Sequence, residues 1–211
     1  IDSCKADLGG GIWLGNSLST ITNSTLRYNT AFGSDNSRGG GIYINKSSDI
    51  YMYNCTVNRN ESLYQAAGIS TDGQSKLKLS KSNISNNTGT GISVVSSEIK
   101  IDDTVIEGNS KHGIFINSAT ATISRTIIKY NESNNINAIG GNIYIDNSLF
   151  IDTSGFSIYS YQGYLNMYFC TVVQEDNSFN EKNINSSSIN IQNSIIWGGI
   201  KKEEYYDVQI S

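Results

Sequence analysis

The sequence of 211 residues contains no proline, one histidine, three cysteines and only 16% charged residues. Without proline, a long flexible linker between separate domains is not expected. No apolar run approaches the roughly eighteen residues of a membrane-spanning helix, and no basic stripe suited to nucleic-acid phosphates is visible. Tyrosine and isoleucine are too plentiful for a disordered chain. We therefore expect residues 1–211 to form a single folded domain that neither spans a membrane nor binds nucleic acid.

Most of the sequence repeats with a period of about 22 residues. The clearest series is a small residue, an apolar residue two positions later and an asparagine three positions further on. Small residues from Ser82 to Cys170 are spaced 22 positions apart. The complete triplets are Ser24-Leu26-Asn29, Cys55-Val57-Asn60, Ser82-Ile84-Asn87, Thr104-Ile106-Asn109 and Thr126-Ile128-Asn131. A fixed period of this length is typical of a solenoid.

Two further series of alternating apolar residues follow the same period. One contains pairs such as Leu77/Leu79 and Ile99/Ile101, and the other follows a glycine, as in Ile92/Val94 and Ile114/Ile116. Three short alternating segments per repeat predict three strands and leave no room for a helix. The predicted fold is all-β: a right-handed parallel β-helix solenoid of about eight coils, with three short strands per coil.

The residues between the predicted strands suggest turns. The recurring asparagines are expected to adopt the left-handed conformation and to form a hydrogen-bonded ladder along the column. A second bend with positive φ is expected at the recurring glycines Gly11, Gly41, Gly68, Gly91 and Gly113. Insertions at Thr30–Arg38 and Glu61–Ala66 leave from one edge of the coils, where loops usually carry function. The segment Asp176–Ser188 is irregular, and its coil lacks a recognisable first strand.

The segments Gly10-Gly11-Ile12 and Gly40-Gly41-Ile42 resemble repeats of the polymorphic outer-membrane proteins of chlamydiae. Those repeats combine a Gly-Gly-apolar-Ile element with Phe-x-x-Asn, and here Phe150 matches the phenylalanine. More broadly, the chain is similar to the pectate-lyase-like superfamily of right-handed β-helices. The first resemblance implies an adhesin-like region, secreted or displayed on a cell surface. The second also includes enzymes that cleave polysaccharides, so the resemblance alone does not choose between binding and catalysis.

One charged ladder is a candidate for catalysis. A step of 22 residues places Lys81, Asp103 and Arg125 on successive coils, and likewise sets Glu107 beside Lys129 and Lys76 beside Glu98. A polysaccharide lyase would use Lys81 or Arg125 as its base and would hold calcium on Asp102 and Asp103. The alternative is a row of opposite charges that stabilises neighbouring coils. We favour that alternative and expect no catalytic residue and no cofactor.

The histidine and the cysteines give no further candidate for catalysis or metal binding. His112 has no acidic or thiol neighbour on the adjacent coils, which predicts a turn residue. Cys55 and Cys170 occupy the inward small-residue position five coils apart, too far for a disulfide, and Cys4 is expected to be unpaired with either. No Cys-x-x-Cys spacing indicates a zinc site, and we expect no bound metal.

Outward aromatic side chains are the best candidate for a binding site. Ile12 and Leu14 face inward, so the position between them faces outward. Its equivalents and three tyrosines near the seventh coil supply the candidates Trp13, Tyr43, Phe115, Tyr159, Tyr161, Tyr164 and Tyr168. Exposed rings on a flat sheet suit sugar rings or a partner protein, although aromatic residues also decorate sheets without binding anything.

The sequence thus predicts a non-enzymatic β-helix, outside the cell or on its surface, that serves adhesion, ligand display or structural assembly. Its expected partner is a polysaccharide or another protein. Because neither terminus carries a cap for the edge strands, we expect a segment of a larger protein or end-to-end contacts with other molecules. The alternative is a polysaccharide lyase or glycoside hydrolase with its site in a groove beside the two insertions.

Overall fold

The computed structural model of the protein describes residues 1–33, 37–152, 156–174, 184–197, 200–202 and 208–210. These residues form 25 strands and no helix. Every pairing between the strands is parallel and joins a strand to its equivalent on the next coil. The all-β parallel solenoid with three sheet faces predicted from the sequence is confirmed.

Face 1 of the solenoid contains the strands that follow the recurring glycines. In the first four coils these strands are Ile12–Gly15, Ile42–Asn45, Ile69–Thr71 and Ile92–Val95. Face 2 contains the next strand of each coil, namely Leu18–Thr22, Asp49–Tyr53, Lys76–Ser80 and Glu98–Asp102.

From the fifth coil onward, faces 1 and 2 share continuous strands. These are Ile114–Ser124, Ile136–Asp146, Ile158–Tyr168 and Ile184–Gln192. Ile184 pairs with Ile158, so the eighth coil does have a first strand, contrary to the expectation from the sequence. The part of that irregular segment before Ile184 lies outside the described residues. The strands Ile200–Lys202 and Val208–Ile210 continue the two faces into a ninth coil.

Face 3 contains eight short strands, and a small fourth sheet contains three. The strands of face 3 are Thr25–Arg27, Thr56–Asn58, Asn83–Ser85, Val105–Glu107, Ile127–Lys129, Leu149–Asp152, Thr171–Gln174 and Ile195–Trp197. The small sheet contains Lys5–Ala6, Thr30–Ala31 and Glu61–Ser62. Both insertions therefore begin as paired strands on the same edge of the solenoid.

The apolar core is a column of stacked side chains. Leu77 pairs with Ile99, which pairs with Ala121, and Ile92 pairs with Ile114. The inward apolar residues of the middle coils are fully buried or nearly so, whereas Ile12, Leu14, Ile21 and Ile196 in the terminal coils are partly buried. Each buried aliphatic side chain contributes roughly 1.5–3 kcal/mol relative to an exposed one, so the apolar alternation fixes the register of the strands.

The bend from face 3 to face 1 carries an uninterrupted asparagine ladder. From Asn60 onward, the Oδ1 of each ladder asparagine accepts both the backbone N–H and the side-chain Nδ2 of the asparagine on the coil before it. The ladder consists of Asn29, Asn60, Asn87, Asn109 and Asn131. The ladder ends at Asn131, whose Nδ2 donates to Asn135 four residues later in the same coil. The side chain of Asn135 in turn donates to the Ile151 carbonyl.

The asparagines and glycines do not adopt the left-handed conformation expected for them. Positive φ belongs to the residue before each ladder asparagine, for example Arg59 at 53° and Tyr130 at 54°. That residue faces solvent while it reverses the chain, whereas the asparagine must point inward to reach its partners. The recurring glycines also lack positive φ. They are needed for space, because a Cβ on Gly91 would lie 2.8 Å from Asn109 Nδ2 and from the Gly113 carbonyl oxygen.

The other two bends carry hydroxyl ladders. Between faces 2 and 3, the side chains of the small residues donate to the backbone carbonyl two positions earlier, as Ser82 does to Ser80. Ser82 Oγ also accepts the Cys55 N–H from the coil before, at 3.0 Å. Between faces 1 and 2, Ser48, Ser75 and Ser97 accept backbone N–H groups from the coil before. The cysteines are free, with Cys55 and Cys170 buried at small-residue positions as predicted and Cys4 exposed.

Candidate functional site

The charged residues proposed for catalysis lie on the bend between faces 2 and 3. Lys81, Asp103 and Arg125 occupy equivalent positions on successive coils, each with positive φ between 46° and 53°. Their backbone N–H groups donate to carbonyls of the following coil, at Asp102, Ser124 and Asp146, with distances of 3.1–3.2 Å. The predicted register is therefore correct, and these positions hold the bend together.

Of the three ladder residues, only Arg125 forms an ion pair within the described part of the chain, and its partner is the neighbouring Asp102. Arg125 Nη2 lies 2.5 Å from the Asp102 carboxylate, and the Lys81 ammonium lies 5.7 Å from the centroid of the Tyr53 ring. Lys129 pairs with Glu107 at 3.3 Å, as the spacing predicted. Glu98 stands in register with Lys76 but pairs with Lys100 instead. Among the described residues, no three His, Cys, Asp or Glu side chains come close enough to share a metal ion.

The outward row on face 1 is only partly exposed. Trp13 is 52% exposed, and the Lys46 ammonium lies 5.5 Å from the centre of its ring. Tyr43 points outward but is only 4% exposed, so the expectation that its ring is accessible is wrong. Phe115 and Tyr159 are partly buried. The rings of Phe115 and His112 stack with their centroids 6.3 Å apart.

Arg38, at the end of the first insertion, lies over the Tyr43 ring. The Tyr43 hydroxyl donates to Asp72 at 2.8 Å, and Arg38, the last residue of the insertion, also pairs with Asp72. The Arg38 guanidinium lies 5.8 Å from the centroid of the Tyr43 ring. This network fastens the end of the insertion onto face 1. Residues 34–36 within the insertion lie outside the described residues.

Coils six and seven carry a cluster of exposed tyrosines, of which the sequence pointed to Tyr161 and Tyr164. We call the exposed Tyr144, Tyr161 and Tyr164, with Asn142 and Asn166 between them, the tyrosine surface. On face 2, Asn142 pairs with Tyr164 and Tyr144 pairs with Asn166, so tyrosine and asparagine alternate both along and between the strands. Tyr164 is 62% exposed. Tyr144 was missed by the sequence analysis, although its position between the inward Ile143 and Ile145 indicates it.

A register shift lies beside the tyrosine surface. The pairing of the seventh and eighth coils is interrupted between Ser160 and Tyr164. A cavity of about 290 Å³ opens there, lined by Gln162, Gly163, Tyr164, Ser187 and Ser188. None of these side chains is charged. Flat tyrosine rings next to an uncharged polar depression could accommodate a sugar polymer by stacking and hydrogen bonding.

A second concave site lies next to the Glu61–Ala66 insertion. A cleft of about 230 Å³ is lined by Tyr64, Gln65, Ala66, Thr90, Ser93, Lys111, His112 and Phe115. His112 Nδ1 accepts the Asn134 N–H at 3.3 Å, and Nε2 lies 2.9 Å from the Asn137 side-chain amide. Burial, helped by the neighbouring Lys111 charge, lowers the pKa of His112 below its ordinary 6.5. The ring is therefore neutral near pH 7.

A family model described as "right handed beta helix region" matches residues 1–116 and 67–202. The chain belongs to the right-handed β-helix family. Comparison with curated proteins and with solved structures returned no significant match. Family membership establishes the fold of this β-helix but names no ligand, so its function has to be argued from its own surfaces. Among the described residues, no helix has the length and apolarity that crossing a bilayer requires.

Proposed function

We propose that this β-helix is a non-enzymatic binding protein, outside the cell or on its surface, that holds uncharged glycans on the tyrosine surface. The observation that carries the proposal is the contrast between its coils. In the first half, cations lie over outward rings, as Lys78 does over Tyr51 at 5.0 Å. No cation lies over Tyr144, Tyr161 or Tyr164 among the described residues. Uncovered rings leave their faces open to stack on sugar.

The composition of face 2 supports an uncharged ligand. Its outward residues in the third and fourth coils include Lys76, Lys100 and Asp102, whereas those of the sixth and seventh coils are tyrosine and asparagine apart from Asp146 at the end of its strand. Amides both donate and accept, which matches sugar hydroxyls. A charged polymer would find no counter-charge among Asn142, Tyr144, Tyr164 and Asn166.

The arrangement of the ionisable groups supports binding rather than cleavage. Of the groups that a lyase would use, Arg125 and Asp102 form an ion pair, and the Lys81 ammonium lies over the Tyr53 ring. Asp103 takes part in no ion pair found among the described residues. Acid–base catalysis needs a group within hydrogen-bond reach of the substrate and free to exchange a proton. The extracellular location rests on the resemblance of the Gly-Gly-Ile segments to adhesin repeats.

The test is to incubate the chain with neutral, carboxylated and sulfated polysaccharides while following both binding and polymer length. Uncharged polymers should bind without being shortened. Tyr164→Ala should weaken that binding roughly ten-fold or more, as expected for a central aromatic contact. Tyr64→Ala is the matched control, because Tyr64 is 61% exposed but lies in the separate cleft.

Two outcomes would overturn the proposal. Shortened polymer would indicate the enzyme, and Lys81, Asp102, Asp103 and Arg125 would then be substituted in turn. If neither Tyr164→Ala nor Tyr144→Ala weakens binding, the glycan does not contact the tyrosine surface. Absence of binding to every polysaccharide would leave a partner protein as the ligand of the exposed rings.

A further inference from the structure

The cleft beside Tyr64 holds polar groups that the protein itself does not use. Thr90 and Ser93 are 7% and 2% exposed, and neither hydroxyl takes part in a hydrogen bond found among the described residues. Neither oxygen is among the fully buried polar atoms that lack a partner, so solvent reaches both hydroxyls from the cleft. Both hydroxyls border the cleft, so they are available to a bound molecule that supplies its own donors and acceptors.

The cleft also holds one cationic side chain, that of Lys111. Lys111 is exposed, and no carboxylate of the described residues lies within ion-pair distance of its ammonium group. The five ion pairs found among the described residues involve other cations, namely Arg27, Arg38, Lys100, Arg125 and Lys129. The neighbouring His112 ring adds no charge at neutral pH, and no acidic side chain lines the cleft. The cleft is therefore suited to one negative charge.

The remaining walls are flat rings. Tyr64, on the insertion, is largely exposed, and the rings of His112 and Phe115, which also line the cleft, stack at an interplanar angle of 22°. Both nitrogens of His112 are engaged by Asn134 and Asn137, so the imidazole has no free position for proton transfer. The ring acts as a surface for contact rather than as a general base.

We propose that this cleft binds a single sugar ring that carries one anionic group, either a carboxylate or a sulfate ester. Lys111 pairs with the anion, Tyr64 and Phe115 contact the ring, and Thr90, Ser93 and Gln65 bind its hydroxyls. The cleft volume of about 230 Å³ is below the roughly 300–1,000 Å³ of pockets for drug-sized molecules and suits one ring. The site is separate from the tyrosine surface and does not depend on it.

Isothermal titration calorimetry with three cello-oligosaccharides of equal length tests this assignment. One is uncharged, one is oxidised to carry carboxylates, and one is sulfated. An anionic sugar should bind to the wild-type chain, and whichever of the two binds identifies the anion. Lys111→Gln should weaken that binding roughly ten-fold, the value expected for a charge-assisted hydrogen bond, while Lys111→Arg should retain it. Tyr64→Ala should also weaken it.

Matched variants separate this site from general charge effects and from the tyrosine surface. Lys76→Gln removes the same charge on another face and should leave anionic-sugar binding unchanged. Tyr164→Ala should affect only the uncharged oligosaccharide, so that either proposal can fail alone. The inference is overturned if neither anionic sugar binds, or if Lys111→Gln binds as the wild type does. It is also overturned if a polyglutamate peptide binds through Lys111 and the sugars do not.

Discussion

Replacing Asn109 by alanine is the sharpest test of how the coils are held together. Its Oδ1 accepts from the backbone N–H of Asn87 at 3.1 Å and from Asn87 Nδ2 at 2.9 Å. Its Nδ2 donates to the Ile84 carbonyl at 3.3 Å and to Asn131 Oδ1 at 2.9 Å. Asn109→Ala removes all four hydrogen bonds from a site with no solvent exposure.

At about 1 kcal/mol for each lost bond, the free energy of unfolding should fall by roughly 3–5 kcal/mol. The Asn87 N–H loses its only acceptor, whereas Asn87 Nδ2 still donates to the Val57 carbonyl at 3.1 Å. Such a loss is a large fraction of the roughly 5–15 kcal/mol that stabilises a typical domain.

Denaturant unfolding measures the effect as a lower midpoint with an unchanged slope. The control is Asn142→Ala on the outer surface of face 2, which should change stability by less than about 0.5 kcal/mol. A loss below about 1 kcal/mol in Asn109→Ala would refute the idea that the ladder stabilises the bend, since it would mean that water or neighbouring groups replace the side chain at no cost.

Two other substitutions test the close approach of the coils and the state of the histidine. Gly91→Ala should lower the free energy of unfolding by about 1–3 kcal/mol, because the new Cβ would meet Asn109 and the Gly113 carbonyl. Gly15→Ala is the control and should lower it by less than about 0.5 kcal/mol, because its Cβ would meet only side-chain atoms at 3.1 Å or more. Equal losses in denaturant unfolding would contradict the steric explanation. Because the pKa of His112 is lowered in the folded protein, the unfolded chain binds more protons between the two pKa values, so stability should fall as the pH drops below 6.5. In His112→Gln, the melting temperature should depend less on pH between about pH 7.5 and 5.5, a range above that in which carboxylates titrate. The same pH dependence in the variant and the wild type would refute this.

The sequence predicts the register of the coils because two periodicities agree. Alternation along a strand fixes which side chains point inward, and the 22-residue step fixes which of them stack, as in Lys76 beside Glu98 and Ile92 beside Ile114. A slip of one residue would expose every isoleucine, so few alternatives compete. The same step predicts that Glu107 meets Lys129, and the two form an ion pair.

The bends were harder to predict because composition does not say which residue turns the chain. Asparagine favours the left-handed conformation, yet Asn60 and Asn87 avoid it and Arg59 and Asn86 adopt it. The inward hydrogen bonds of the ladder outweigh the local preference, since a buried amide without partners is costly. The backbone strain is thus transferred to exposed residues such as Arg59, where the side chain has room.

The burial of Tyr43 shows why surface sites cannot be predicted from the repeat alone. Its outward direction follows from the alternation, but its burial depends on Arg38 and Asp72, which belong to an insertion and to a different coil. No period relates Arg38 to Asp72. Tyr64 and Lys111 likewise meet at one cleft only because the second insertion folds back over face 1.

Both proposed binding sites lie where the repeat is broken, and the physics of stacking explains this. In a regular coil each polar group at a bend is used by the next coil, as Asn109 is, and each inward side chain is covered above and below. A regular coil therefore leaves few unpaired groups and little concave surface. The cleft adjoins the insertion after Asn60, where Thr90 and Ser93 retain unpaired hydroxyls. The cavity beside Tyr164 adjoins the register shift after Ser160. Both proposals therefore place binding at departures from the 22-residue period rather than on the charged ladder that follows it.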